Sequence, residues 1–306
     1  MAEFDFNTCR AERHAHRGFI NNWRPHATTE DLIVHIKEVL FEYREHLPLT
    51  CRQVFYRLVA AHRYPKTNNA YNKLCAHLAN ARRARVIPFD AIRDDGVDRT
   101  GAQCYAGTGH FIKACRHTAS EAFRLDRQDG QAQRLYVWCE TGGMVPQLAR
   151  VCDPFGIDVV SSGGFDSVSV KHSLAREFSE SDVPVRVLHL GDHDPSGVHL
   201  YLALQEDITA FCETFGGEVT FERVAVLPSH VDMFGLDTAP PKSTDRRRFE
   251  GETVQAEALP PDTLAEILGQ AVKSHLDVSI YDQIMAEEAT QRMRLIEIFD
   301  SLGSKA

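Results

Sequence analysis

Two rhythms of apolar and polar residues divide the chain. In the first third the apolar positions recur with a helical period. Within residues 29–46, TEDLIVHIKEVLFEYREH, the residues Leu32, Ile36, Val39, Leu40 and Tyr43 fall on one face. Thr28 or Thr29 is placed to cap this helix and Pro48 to end it. Thr50 then precedes CRQVFYRLVAAH, a second amphipathic helix that Pro65 breaks. A third is expected over 68–85, with Tyr71, Leu74, Leu78 and Ala81 as its apolar stripe and Lys73, Arg82, Arg83 and Arg85 on its polar side. VIPFDAI follows as a short extended piece. Three short helices and an extended wing suit a helix-turn-helix or winged-helix module.

Residues 94–109, DDGVDRTGAQCYAGTG, read as a loop or connection, followed by a helix over about 110–127. From residue 134 the rhythm changes. The runs RLYVWCE, IDVVSS, VPVRVLHLGD and VTFERVAVL alternate with the helical segments VPQLARVC, SVSVKHSLAREF (capped near Asp166) and DPSGVHLYLALQEDITAFCETF. Continuous β-branched runs alternating with helices predict a mostly parallel sheet covered on both faces. An irregular stretch is expected after residue 228, then helices near 262–275 and 279–299. The fold class is therefore α/β: an N-terminal arm (1–28), a helical winged-helix-like domain (29–109), and a Rossmann-like domain with C-terminal helices (110–306).

Charge sharpens this division. The net charge of -9 over 306 residues argues at first against a nucleic-acid partner. Yet residues 1–130 carry 20 Lys and Arg against 15 Asp and Glu, a net of +5, and the remainder carries -14. No acid occurs between Glu45 and Asp90, a stretch holding Arg52, Arg57, Arg63, Lys66, Lys73, Arg82, Arg83 and Arg85. A basic module fused to an acidic one points to a phosphate backbone as partner of the first. Arg57, Lys66, Lys73, Arg82, Arg83 and Arg85 are the expected contacts. Arg246, Arg247 and Arg248 form a second basic island, expected in a loop.

The eight cysteines are scattered without a CxxC pair, and none of the 15 histidines falls in an HExxH. That argues against a zinc ribbon or zincin and for reduced thiols in the cytoplasm. No apolar run reaches the roughly 18 residues of a membrane span.

The chemistry is expected among acids. In open parallel sheets ligands sit beyond the C-terminal strand ends. One run ends at Glu140, and another ends in Gly191-Asp192-His193-Asp194-Pro195-Ser196-Gly197. If these strands are neighbours, Glu140, Asp192 and Asp194 converge. Three carboxylates without a thiol partner suit Mg²⁺ or Mn²⁺, and such an ion can neutralise charge developing in phosphoryl transfer. Gly197 would admit close backbone approach, and His193 between the acids is a possible titrating contact.

Strand-Glu140, then Gly163-Gly164-Phe165-Asp166, then strand-Asp192-His193-Asp194-Pro195-Ser196-Gly197 resembles the Toprim domain. The closest likeness is to the A subunit of topoisomerase VI and the meiotic double-strand-break transesterases. In that family a winged-helix domain precedes Toprim and carries an Arg, an acid or amide, an aromatic and the nucleophilic Tyr. Arg52-Gln53-Val54-Phe55-Tyr56 has that order, with Gln53 where the family often has Glu. The resemblance spans roughly residues 30–300 and implies a minimal standalone A-type subunit. It implies DNA cleavage by transesterification: Tyr56 attacks a backbone phosphate and a 5′-phosphotyrosyl link forms. Arg52, one turn away, would stabilise the phenolate or the phosphorane. Glu140, Asp192 and Asp194 would hold Mg²⁺. The resemblance also implies a homodimer, in which the Tyr of one subunit works with the acids of its partner, and leaves room for a separate ATPase B-type subunit.

Two other readings stand beside it. One keeps the metal site but uses metal-activated water, giving a hydrolytic nuclease. The other is a DNA-binding or assembly protein without catalysis.

Overall fold

The computed structural model describes residues 19–93, 102–161, 168–241, 249 and 251–303. It divides into two compact units, within residues 1–94 and 95–306. The Gly163–Asp166 turn, Asp166 as a cap, and Arg246–Arg248 lie outside the described residues.

The first unit is built on three helices: α1 (Ala27–Glu42), α2 (Cys51–His62) and α3 (Asn68–Arg83). Their apolar stripes meet as expected. Leu32, Ile36, Val39, Leu40 and Tyr43 are buried with Val54, Phe55, Leu58, Leu74, Leu78 and Ala81. α2 starts where it does because Thr50 and Gln53 form a reciprocal cap. The Gln53 backbone N–H donates to the Thr50 hydroxyl at 3.1 Å, and the Thr50 N–H donates to Gln53 Oε1 at 2.9 Å. Gln and Glu both serve at that position, which accounts for an amide there.

Four local expectations need correction. α1 begins at Ala27 with His26 as its cap residue, and neither Thr28 nor Thr29 caps it. α3 ends at Arg83, so Arg85 lies beyond the helix, at φ 60°. Arg82 is not on a polar face but buried, its guanidinium over the Phe89 ring at 5.8 Å; stacking on an aromatic face suits the flat, weakly hydrated cation. The extended piece after α3 is a short 3₁₀ turn, Phe89–Ala91, and then β2 (Ile92–Arg93). β2 pairs in parallel with β1 (Leu49–Thr50), and no antiparallel wing hairpin occurs among the described residues.

The second unit carries a four-stranded, all-parallel sheet in the order β4-β3-β5-β6. Its strands are β3 (Arg134–Cys139), β4 (Asp158–Ser161), β5 (Val185–Leu190) and β6 (Val219–Ala225). The connecting helices are α5 (Val145–Cys152), α6 (Val168–Ser179) and α7 (Pro195–Thr214). The step from β3 to β4 runs one way along the sheet, while the steps from β4 to β5 and β5 to β6 run the other. Right-handed crossovers therefore put α5 on one face and α6 and α7 on the opposite one. Accordingly α6 and α7 pack together over Tyr136, Trp138, Val185 and Val187. Leu135, Val137 and Cys139, alternating to the other side, are equally buried.

α4 (Thr108–Glu121) precedes the sheet. The stretch after β6, expected to be irregular, opens with a helix, α8 (Pro228–Phe234). Seven residues starting at Pro give too short a window for a helical period to show. α9 (Pro261–Ser274) and α10 (Val278–Gly303) close the unit. α9 packs on α5, and α10 packs on α4. At the turn before β3, Arg127 donates to both oxygens of the fully buried Glu288 on α10, at 3.0 and 2.7 Å. None of the described helices is long and apolar enough to cross a membrane. Cys51, Cys75, Cys104, Cys115, Cys139, Cys152 and Cys212 are all free.

Candidate active site

β3 and β5 are hydrogen-bonded neighbours, with Cys139 paired to Leu190. The helices leaving their C-terminal ends, α5 and α7, go to opposite faces, so a crevice opens between these two strands. Glu140 follows β3, and its N–H donates to the Leu190 carbonyl at 2.9 Å. Asp192 and Asp194 follow β5. The Asp192 N–H donates to Glu140 Oε2 at 3.0 Å, and Asp192 Oδ1 accepts the Ala256 N–H at 2.8 Å. Asp194 caps α7, accepting the Gly197 N–H at 2.7 Å.

The two glycines of this turn are needed for close approach. A Cβ on Gly197 would lie 2.3 Å from the Asp192 carbonyl oxygen and 3.0 Å from Glu140 Oε2. A Cβ on Gly191 would lie 2.7 Å from His189 Cε1 and 2.8 Å from Glu140 Oε2.

The site carries surplus negative charge. Burial, and then the Asp192 and Asp194 charges, push the Glu140 carboxyl up to about 7, against the lowering effects of the Asp192 N–H and Arg223. Glu257, itself buried, adds a further acid close enough to act on the Cys139 thiol together with Asp192 and Glu140. Hard oxygen donors in charge excess fit a divalent cation such as Mg²⁺. The carboxylates are not gathered into a tight ligand set. A group whose ligand atoms all lie within 4.8 Å of one another is found elsewhere, at His35, Glu38 and His62.

Arg223 on β6 escaped sequence reasoning. Its Nη2 donates to the carbonyls of Gly191 at 3.2 Å and Asp192 at 2.5 Å, and its Nε to that of Val226 at 3.4 Å. Nη1 is buried without a partner. The guanidinium holds the β5–α7 turn from behind and lies near Glu140. The signal in the sequence was a lone cation inside the apolar run VTFERVAVL. His193 lies between the two aspartates, its backbone N–H donating to the Val254 carbonyl at 2.8 Å. Burial and the Arg223 charge hold its imidazole below the usual range, although Asp194 pulls the other way.

Tyr56 and Arg52 belong to the first unit. Tyr56 lies mid-α2, half-buried, with its ring edge-on to Phe55 at 5.5 Å and the Lys66 ammonium 5.9 Å from its ring centre. Arg52 is exposed, and its guanidinium lies over the Tyr71 ring at 5.4 Å. Burial pushes the Tyr71 hydroxyl up to about 12, with Arg52 opposing. Of the basic residues, Lys66, Lys73 and Arg85 are exposed, Arg57 and Arg83 half-buried and Arg82 buried. The Arg85 guanidinium sits 4.2 Å from the Phe19 ring centre.

No protein-family model matches the chain, and no curated protein matches it.

Proposed function

We propose that this protein is a Mg²⁺-dependent DNA-cleaving enzyme of the topoisomerase-VI-A type, with a winged-helix-like DNA-binding unit and a Toprim-like catalytic unit. The observation that carries the reading is that Glu140, Asp192 and Asp194 all stand at the switch point between β3 and β5, near enough for both aspartates to act on the Glu140 carboxyl. Together they would hold the cation through carboxylate oxygens. When bound, it supplies positive charge opposite the phosphate oxygens. Tyr56 Oη would attack the phosphorus and the P–O3′ bond would break. The tyrosyl proton passes to a base, and the leaving 3′ oxygen takes up a proton. The Tyr of one subunit would serve the acids of a second copy, and the exposed cations Lys66, Lys73 and Arg85 would track the backbone. An ATPase B-type subunit would be needed for strand passage.

A second reading has one observation in its favour. Glu140, Asp192 and Asp194 all stand in the second unit while Tyr56 belongs to the first, so water activated by the cation these acids would hold could attack in place of Tyr56, which suits hydrolysis without a covalent intermediate.

The test uses supercoiled plasmid, Mg²⁺ and a detergent stop, with and without protease. Protein-linked 5′ ends that vanish in Tyr56→Phe support transesterification. Cleavage that survives Tyr56→Phe but is lost in Asp192→Asn supports hydrolysis. Binding with no cleavage in Mg²⁺ or Mn²⁺ overturns both in favour of a non-catalytic DNA-binding protein.

A further inference from the structure

Away from the acidic crevice, the first unit gathers a different donor set. His35 and Glu38 lie one turn apart on α1, at the i, i+3 spacing that puts them on one face. His62 is the last residue of α2, which packs against α1. The His62 Nε2 lies 3.7 Å from Glu38 Oε2, and the His35 and His62 rings stack with centroids 4.2 Å apart. One ligand atom from each of the three residues lies within 4.8 Å of the other two.

We propose that His35, Glu38 and His62 form a binding site for a borderline transition-metal ion of the Zn²⁺ class. Two imidazoles and one carboxylate are the donor types such an ion selects, whereas an oxygen-only site selects Mg²⁺ or Mn²⁺. The two sites of the chain therefore differ in the metal they accept. Three protein ligands leave one tetrahedral position open to water or to another group. Glu38 is more than half exposed, with 57% of its side chain accessible, so that position faces solvent.

The stacked rings define what binding requires. Nitrogen lone pairs lie in the ring planes, and the planes are only 20° apart, so one imidazole must turn out of the stack to share an ion with the other. Around a tetrahedral ion the ligand atoms come to roughly 3.3 Å of one another, a little closer than the 3.7 Å between His62 Nε2 and Glu38 Oε2. The bound ion would tie the end of α2, the helix that carries Tyr56, to the middle of α1.

The experiment titrates the full chain, reduced, with Co²⁺ and then Zn²⁺. The expected result is one equivalent of Co²⁺ with a tetrahedral visible spectrum lacking thiolate charge-transfer bands, displaced by Zn²⁺. Affinity should drop at least about tenfold in Glu38→Gln and in His62→Gln, and should not change in Asp192→Asn. Glu38→Gln alters an exposed side chain and should leave the far-ultraviolet circular dichroism unchanged, so its loss of binding reports the site and not the fold. Equal Co²⁺ affinity in the wild type and Glu38→Gln, or a thiolate-type spectrum, would overturn the proposal.

Discussion

The backbone N–H of Asp192 donates to the carboxylate of Glu140 across 3.0 Å, from the end of one central strand to the end of its neighbour. That bond favours the charged form of Glu140, yet burial and the flanking acids win and hold the group at about 7, against 4.5 ordinarily. Between those two values the folded chain binds more protons than the unfolded one. The Glu140 contribution to stability is then greatest below about pH 4.5, falls as pH rises towards 7, and levels off above. Glu140→Gln fixes the neutral form. In EDTA it should come close to wild type at pH 4 and exceed it by about 1–2 kcal/mol at pH 8, allowing for partial exposure. Thermal unfolding at both pH values checks this, and identical pH slopes would refute it.

Gly197 is the tightest point of the turn. Gly197→Ala drives a methyl into the Asp192 carbonyl and against Glu140. It should cost about 1–3 kcal/mol of stability, measured by denaturant unfolding, and, if the acids hold Mg²⁺, weaken its binding in a calorimetric titration. Gly216→Ala is the reference for backbone strain alone, since its φ is 83° and no atom lies within 4 Å of its Cβ position.

Arg223→Met leaves the Gly191 and Asp192 carbonyls without this donor. It also removes the positive charge that holds Glu140 down. A loss of about 2–3 kcal/mol is expected, together with an upward move of the Glu140 titration, read by carbon-13 chemical shift. Arg223→Lys should restore the titration better than the stability, because an ammonium keeps the charge but not the fork of donors.

Glu288 is fully buried between Arg127 and Arg292. The Arg127 hydrogen bonds, against the cost of burial, hold its carboxyl at about 2. Its contribution is present above about pH 4.5 and is lost as pH falls towards 2. Glu288→Gln should destabilise the chain by about 3–5 kcal/mol at pH 7, by stranding the buried Arg127 and the half-buried Arg292. It should also flatten the acid limb of the stability curve, as followed by urea unfolding between pH 3 and 7.

If the first unit binds DNA, its exposed and buried cations should separate by salt dependence. Lys66→Ala with Lys73→Ala should lower the slope of log affinity against log salt by about 2. Arg82→Lys should leave the slope unchanged and reduce thermal stability, since Arg82 is buried over Phe89. Fluorescence anisotropy across a salt series distinguishes the two.

Much of this architecture was legible in local pattern. The helical stripes of Leu32–Tyr43 and Leu74–Ala81, and the β-branched runs ending at Glu140 and before Asp192, announce themselves because burial imposes one period on a helix and another on a strand. The Thr50 cap of α2 was legible because the interaction spans three residues. The sequence allowed β3 and β5 to be neighbours, and the sheet order makes them so. Other features depended on long-range contact. Arg223 serves the Gly191–Asp192 turn only because β6 pairs with β5, about thirty residues earlier in the chain. Glu257 joins the acids through a loop that folds back so that Ala256 meets Asp192. Arg82 is buried because Phe89 returns across it, a contact that helical periodicity cannot encode. His35, Glu38 and His62 are ordinary surface types until α1 and α2 pack. The sequence by itself determined the longer helices and the four strands of the parallel sheet, and where the acids stand on them, but not the short α8 or the 3₁₀ turn at Phe89–Ala91. Only the tertiary structure decided which charges share a site, since electrostatics acts through space and is indifferent to distance along the chain.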